Sequence, residues 1–203
     1  MTASNQAGVL NFDEATHTYT VDGQDYPSIT TVIEAAGLVN YDMLPADDLK
    51  FYQDRGTALH QAAWYDDEGD LDDRTVDPEV KPRLEAWRKL RREMQFTVLL
   101  SEARRFDRTY GYAGTPDRLV KLPNGERGVI ELKSGPLQPA VRIQTAAQAN
   151  LLEPQGGRLR RFAAHLKADG SYSVKEFPVS EMRTDLSVFL CALTVFKWRK
   201  ANF

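Results

Sequence analysis

The sequence predicts an α/β (α+β) domain in which a mixed central β-sheet is flanked by helices. From Asp77 onward the hydrophobic pattern gives the order helix, three strands, helix, strand, and strands interleaved with helices are typical of such a sheet. A hydrophobic fraction of 42% in 203 residues is enough for one substantial core. The net charge of −3 argues against a protein that coats nucleic acid, although it allows a local basic groove.

The first predicted elements are a β-hairpin and a short helix. Residues Val9 to Tyr26 alternate between apolar and polar side chains around Asp22-Gly23, a dipeptide typical of a tight hairpin turn. A helix is predicted from Ser28 to Ala36. Asp54 is interpreted as the cap of a second helix that runs from Gly56 to Tyr65.

The later elements follow from the same rules. Asp77-Pro78 is predicted to open a helix, because apolar residues then recur at helical spacing from Val80 to Met94. The remaining predictions are strands at Thr97–Ala103, Tyr110–Leu122 and Gly128–Lys133, a helix at Pro139–Leu152, strands at Leu159–Leu166 and Tyr172–Phe177, and a helix at Ser180–Lys200.

We interpret the chain as one domain, 1–203. It comprises a hairpin and helical extension over 1–55, a core over 56–180 and a C-terminal helix over 181–203. A single cysteine, Cys191, provides neither an internal disulfide nor the ligands of an iron–sulfur cluster, so neither is predicted. The sequence has no signal-peptide pattern and no apolar stretch long enough to span a membrane, which predicts a cytoplasmic protein without membrane partners.

Asp117, Glu131 and Lys133 form the most informative constellation. Glu131 and Lys133 are two residues apart on a predicted strand and share a face, and Asp117 in the preceding strand can lie beside them. Carboxylate oxygens suit Mg²⁺, and a bound metal can activate a water for phosphodiester hydrolysis. A neighbouring ammonium can orient or deprotonate that water, or stabilise negative charge. An isolated Glu-x-Lys pair, however, is more often a surface ion pair.

Several short motifs extend this constellation in a fixed order. Pro116-Asp117 followed by Glu131-Leu132-Lys133 resembles the signature of the PD-(D/E)xK nuclease superfamily. Other segments resemble the RecB-like exonuclease branch and its phage members, namely His17-x-Tyr19, Pro27-Ser28-Ile29-Thr30, the G-x-x-x-H segment Gly56–His60, the acidic Glu102, and Gln144–Gln148 in place of Q-x-x-x-Y. The resemblance spans about residues 10 to 180.

The resemblance implies a restriction-endonuclease-like αβββαβ core and one or two Mg²⁺ or Mn²⁺ ions. The metal ligands that it implies are His60, Asp117, Glu131 and the backbone carbonyl of Leu132, with Glu102 reaching a second metal. Lys133 would act on the attacking water, and Gln144 would contact the scissile region or steady that lysine. Gln148 departs from the family pattern, because an amide can bond to DNA but cannot stack on a base as tyrosine does.

Arginines supply further candidates for DNA contacts. Arg55, at the N-terminal end of the predicted His60 helix, suits a phosphate, although it is equally compatible with a plain surface position. Arg104, Arg105 and Arg108 lie near Glu102 and form a candidate DNA-facing patch. A second candidate patch comprises Arg158, Arg160 and Arg161.

The first functional hypothesis is a metal-dependent deoxyribonuclease, in particular an exonuclease of phage recombination or DNA processing. Its partners would be DNA and, by the resemblance alone, a single-strand annealing protein and further copies of the chain. A structure- or sequence-specific endonuclease of the same fold is the second hypothesis. The third is a non-catalytic DNA-binding or assembly module.

Overall fold

The computed structural model describes residues 8–14, 16, 18–39, 45–153 and 158–203, so His17 of the opening motif lies outside the described residues. Within them the strands are β1 (Leu10–Asp13), β2 (Thr18–Val21), β3 (Gln24–Tyr26), β4 (Thr97–Ser101), β5 (Arg105–Asp107), β6 (Tyr112–Gly114), β7 (Arg118–Lys121), β8 (Arg127–Lys133), β9 (Arg160–Leu166) and β10 (Tyr172–Phe177). The helices are α1 (Ile29–Ala35), α2 (Ala46–Glu68), α3 (Lys81–Met94), α4 (Val141–Leu152) and α5 (Met182–Asn202). Across these described ranges, no helix has the length and apolar character needed to cross a membrane.

A five-stranded mixed sheet forms the centre of the protein. Its strand order is β10-β9-β8-β7-β4, in which β8 and β9 run parallel and the other neighbours are antiparallel. A parallel pair needs a crossover connection, and α4 provides it. The order α3, β4, β7, β8, α4, β9 contains the predicted helix, three strands, helix and strand, and the predicted fold class is therefore confirmed.

Alternation along β8 places helices on both faces of this sheet. Ile130 and Leu132 pack with the buried apolar residues of α2 and α3 in the largest core cluster. Val129 points to the opposite face and packs with alanines of α4. Because successive strand residues alternate, Glu131 and Lys133 lie on the α4 side of the sheet.

The predicted hairpin turn and short helix are confirmed, and the structure adds a third strand to the hairpin. β1, β2 and β3 form a separate antiparallel sheet, and Asp22 and Gly23 both have positive φ angles, 50° and 81°, as a two-residue type I′ turn requires. The following α1 is capped by Ser28, whose hydroxyl accepts a hydrogen bond from the Thr31 N–H at 3.0 Å.

Helix α2 differs most from its prediction. It begins at Ala46 rather than Gly56, so the proposed boundary between 1–55 and 56–180 falls inside one helix. The interpretation of Asp54 as a cap is wrong, because this residue lies within α2 and forms an ion pair with Lys50 at 2.9 Å. The first half of α2 is mostly exposed and lacks the apolar spacing by which a helix is recognised.

Two other predicted elements start or divide elsewhere. The predicted strand Tyr110–Leu122 is two strands, β6 and β7, and β6 pairs with the unpredicted β5. Pro116 stands in the break, and a proline cannot donate to a strand ladder. Helix α3 starts at Lys81 rather than at Asp77, whose carboxylate instead holds the preceding turn.

Candidate metal and catalytic centre

Asp117 and Glu131 meet at one end of the β7–β8 pair. The register joins Arg118 to Ile130, so Asp117, directly before β7, comes beside Glu131. The Leu132 N–H donates a hydrogen bond to Asp117 Oδ2 at 2.7 Å, which fixes this carboxylate against β8. Asp117 and Glu131 are only 4% and 1% exposed. The hairpin thus buries two carboxylates close together.

Glu131 is held by three side chains. Lys133 Nζ lies 2.7 Å from Glu131 Oε1, and Gln144 Nε2 donates to the same oxygen at 2.7 Å. Gln148, one turn further along α4, donates its Nε2 to Glu131 Oε2 at 2.5 Å. Gln148 is 2% exposed, so its position does not favour the predicted DNA contact. Both glutamines instead orient the carboxylate that binds Lys133.

His60, Glu102 and Asp117 form a second group beside Glu131. His60 Nδ1 lies 3.1 Å from Glu102 Oε1 and 3.6 Å from Asp117 Oδ2. Glu102 follows β4 with φ 46°, a left-handed conformation that is unfavourable for a residue with a side chain. Its N–H donates to the Asp117 carbonyl at 2.9 Å, which helps to hold this strained turn. The strained backbone therefore places Glu102 against the histidine.

The ionisable groups of the centre shift one another's pKa values. Burial alone would lower the pKa of His60, but the carboxylates of Asp117 and Glu102 outweigh it and raise that pKa to about 9. Burial, together with the charge of Glu131, raises the pKa of Asp117 well above its usual range. Burial also acts to raise the pKa of Glu131, but Lys133 and His60 overcome it and hold this pKa below its ordinary value. The carboxylates therefore keep His60 charged near neutral pH, and burial together with the charge of Glu131 opposes ionisation of Asp117.

The arrangement fits a divalent cation. One donor atom from each of His60, Glu102 and Asp117 lies within 4.8 Å of the others. An imidazole nitrogen with carboxylate oxygens is a suitable donor set for divalent metals, and a cation would favour the ionised form of Asp117, which burial and Glu131 disfavour. Glu131 lies beside this trio with its oxygens engaged by its three partners. Leu132 contributes its N–H to Asp117, and the role of its carbonyl as a ligand stays a prediction.

Metal binding is expected to release the proton of His60 near neutral pH, because a ligating imidazole is neutral. Since the pKa of His60 is about 9, its ring must lose a proton before it can serve as a metal ligand. Its apparent affinity should therefore fall by up to about tenfold for each pH unit below that value. Without metal, the charged His60 ring contributes to the free energy of unfolding. This contribution is complete below pH 6.5 and is lost as the pH rises through about 9.

Calorimetric titration with Mn²⁺ in buffers of different ionisation enthalpy counts the released protons. His165 provides the matched control, because burial, followed by nearby cations such as Lys167, lowers its pKa below the usual value. The His165→Asn protein should release as many protons as the wild type, and His60→Asn should release fewer. Equal proton release by all three proteins would contradict the assignment of the proton to His60.

Arg118 is a buried part of the centre that the sequence analysis missed. Its side chain is 0% exposed, and its Nη1 donates to Glu102 Oε1 at 2.8 Å. Its Nε donates to the buried carboxylate of Asp67 on α2. Arg118 therefore fixes Glu102 beside His60. The available signal was an arginine directly after Asp117, at an inward-facing position of a strand.

The predicted DNA-binding arginines occupy different environments. Arg55 Nη2 donates to the Ser134 carbonyl at 3.1 Å, close to the end of β8. Arg104 is exposed and ion-paired with Glu14 at 3.1 Å, and Arg105 donates to the Arg104 carbonyl at 2.8 Å. DNA contacts by these residues stay predictions.

The prediction of a second DNA-facing arginine patch is wrong for Arg161, whereas for Arg158 and Arg160 it stays a prediction. Arg161 is 0% exposed and forms a buried ion pair with Asp185 at 2.6 Å. Arg160 is neutralised by Glu176 at 2.6 Å and by Glu126 at 3.2 Å. These arginines stabilise β9 against its neighbours, and a cluster of arginines in a sequence does not reveal such partners.

Comparison with known proteins gives little further information. No protein-family model matches the sequence, and no curated protein matches it either. Among solved structures, one similar chain is that in the crystal structure of LHK-Exo in complex with dAMP. The two chains share 17% sequence identity with a TM-score of 0.34, and the match covers 87% of this chain and 93% of that chain. Functional assignment therefore rests on the side chains of the centre.

Proposed function

We propose that the protein is a divalent-metal-dependent deoxyribonuclease that hydrolyses phosphodiester bonds. The observation that carries this proposal is the convergence of Asp117, Glu131 and Lys133 at one end of a hairpin, next to the His60 and Glu102 pair. A surface Glu-x-Lys pair would be solvated, whereas Glu131 is 1% exposed. Burying several carboxylates side by side costs free energy, and ionisable groups with perturbed pKa values in such a cluster are candidates for a functional site.

The proposed roles divide between the two groups of side chains. His60, Asp117 and Glu102 would hold the cation, with Glu131 beside them. A bound Mg²⁺ or Mn²⁺ would polarise a phosphoryl oxygen and lower the pKa of a bound water. Arg118 keeps Glu102 in place, so that the donor atoms are positioned before a cation arrives.

Lys133 is proposed to act on the attacking water. Its ammonium is held by Glu131 on one side, and its side chain is still 31% exposed, so a substrate can approach it. From this position it orients or deprotonates the water, or stabilises negative charge on the phosphate. Gln144 and Gln148 act through Glu131, because they fix the carboxylate that anchors the lysine.

We further propose that the enzyme is an exonuclease of the RecB-like branch that acts in phage recombination or DNA processing. Support comes from the order of its motifs, from Gly56–His60 through Glu131–Lys133 to Gln144. A single-strand annealing protein as partner and assembly into a homo-oligomer follow from the same resemblance. An endonuclease would use the same chemistry, and only the requirement for a free DNA end separates the two.

Digestion of labelled DNA tests the proposal. Linear DNA labelled at the 5′ or the 3′ end, together with closed circular DNA, is incubated with Mg²⁺, Mn²⁺ or EDTA. We expect metal-dependent degradation of linear DNA only, and the label gives the polarity. The Glu131→Gln protein, purified identically, controls for contaminating nucleases. Cleavage of the circle would identify an endonuclease, and intact substrates under every condition would contradict a nuclease and favour a binding module.

A further inference from the structure

We propose that Arg55 and Arg83 form a subsite for a backbone phosphate of the DNA strand, next to the phosphodiester that is cleaved. This inference rests on the proposed nuclease function and adds to it a position and a ligand. Arg83 lies in α3 and belongs to none of the sequence motifs.

The two guanidinium groups converge on one backbone oxygen. Arg55 Nη2 donates to the Ser134 carbonyl at 3.1 Å, and Arg83 Nε donates to the same oxygen at 3.4 Å. Ser134 directly follows Lys133 at the end of β8. The pair of arginines is therefore anchored one residue beyond the lysine of the catalytic centre.

This pair is poorly neutralised by the protein. Arg83 is 6% exposed, and its Nη1 donates to the Glu79 carbonyl, which carries no net charge, at 2.6 Å. The carboxylate of Glu79 is 3.9 Å away, and 62% of its side chain is exposed. Burial, together with the charge of Arg55, lowers the pKa of Arg83. Arg55 Nε is buried and has no hydrogen-bond partner among the described residues. Two adjacent guanidinium groups in this state favour binding of an anion, and planar guanidinium donors match phosphate geometry.

Gly56 leaves room for a phosphate beside the arginines. A Cβ atom built at this position would meet Ser134 Oγ at 3.8 Å, which is an ordinary contact. A glycine inside a helix destabilises the fold relative to alanine, and Gly56 lies inside α2. The protein atoms around Gly56 would leave space for the Cβ atom of an alanine. The space over Gly56 instead allows a ligand to approach the backbone of α2 beside Arg55.

The residues that precede Arg55 indicate a strand that continues past the subsite. Its guanidinium carbon lies 4.9 Å from the centre of the Tyr52 ring and 5.6 Å from that of Phe51. These rings are 41% and 49% exposed, and exposed aromatic rings beside a cation are a platform on which bases stack. Along α2 they lie on the far side of Arg55 from His60. A strand that follows this path presents an internal phosphodiester, rather than its end, to the two arginines.

Equilibrium binding without catalysis tests the subsite. A fluorescent single-stranded oligonucleotide without terminal phosphates is titrated in EDTA, and anisotropy is measured over a range of salt concentrations. Arg55→Gln and Arg83→Gln should each weaken binding by about tenfold and reduce the salt dependence by about one phosphate contact. Arg92→Gln removes the same charge from an exposed position of α3 and should stay close to the wild type. Gly56→Ala should bind less tightly although its melting temperature is higher.

Inorganic phosphate gives a measurement that is independent of DNA and of cleavage. Phosphate should raise the melting temperature of the wild type and of Arg92→Gln, but not that of Arg55→Gln. The side chain of Arg55 is partly exposed, so its replacement should not prevent folding. The subsite would be overturned if Arg55→Gln binds the oligonucleotide as tightly as the wild type and phosphate stabilises all the proteins equally. This conclusion would hold even if the wild type cleaves DNA. A wild type that cleaves no DNA would overturn the nuclease proposal and leave the phosphate result standing. A loss of affinity confined to oligonucleotides with a terminal phosphate would overturn the assignment to an internal phosphodiester.

Discussion

Replacing Lys133 with alanine is expected to slow metal-dependent DNA hydrolysis by about 10²- to 10⁴-fold, the usual contribution of a positioned proton-transfer group. The substitution removes the ammonium that lies 2.7 Å from Glu131 Oε1. Gln144 and Gln148 still hold Glu131, so the fold should persist with a loss of about 1–3 kcal/mol in the free energy of unfolding. The affinity for Mn²⁺ should be retained, because the proposed ligands are unchanged.

Single-turnover cleavage and calorimetric titration with Mn²⁺ separate these effects. Lys175→Ala is the matched control, since Lys175 is an exposed lysine on β10 and its removal should change neither quantity. Lys133→Arg keeps the positive charge and should retain more activity than alanine if charge stabilisation dominates. A Lys133→Ala rate within about threefold of the wild type, at a temperature where both are folded, would remove this residue from the chemistry.

The hairpin of the centre could be predicted because its determinants are local. The two-residue periodicity of a strand places Glu131 and Lys133 on the same face of the sheet, independently of the rest of the fold. The Pro123-Asn124-Gly125 turn then returns β7 beside β8, and the register brings Asp117 next to Glu131. Asp117, Glu131 and Lys133 are close together in the sequence, so a local pattern is sufficient to predict how they lie in the hairpin.

The surroundings of the centre could not be predicted in the same way. The contact of Arg118 with Asp67 joins β7 to α2, and no local pattern shows which of many carboxylates an arginine will meet. The same holds for Arg83, whose burial depends on how α3 packs beside the end of β8. The motif position of Gln148 predicts a DNA contact, whereas its helical phase turns it toward Glu131. Contacts between residues far apart in the sequence therefore determine which side chains surround the hairpin residues of the centre.

These long-range contacts leave the buried charge of Asp117 only partly balanced. Arg118 pairs with Glu102 and shares Asp67 with Arg91, and Lys133 pairs with Glu131. Asp117 is left with His60 at 3.6 Å, and its pKa is raised by burial and by the charge of Glu131. Such a carboxylate destabilises the metal-free fold, which is a common property of residues that are placed for function rather than for stability.

Asp117→Asn is accordingly expected to abolish metal-dependent activity and at the same time stabilise the metal-free protein by about 0.5–2 kcal/mol. The folded-state pKa of Asp117 is above its unfolded value, so the wild type loses stability as the pH rises through that raised pKa. Asparagine carries no charge at any pH, and its side-chain oxygen can still accept the hydrogen bond from the Leu132 N–H. The gain should therefore be present at neutral pH and vanish in acid, where Asp117 is protonated in both states.

Urea unfolding in EDTA and in saturating Mn²⁺ measures both effects. In EDTA the variant should be the more stable protein, whereas metal at about 100 times its dissociation constant should stabilise only the wild type, by about 2.7 kcal/mol. Asp185→Asn is the matched control, because Asp185 is equally buried but is paired with Arg161 and Arg142, each at 2.6 Å. Its loss should destabilise the fold by about 3–5 kcal/mol and leave the metal response intact. Asp117→Asn behaving like Asp185→Asn in EDTA would mean that Asp117 is a structural carboxylate, and the placement of the metal would then have to move away from it.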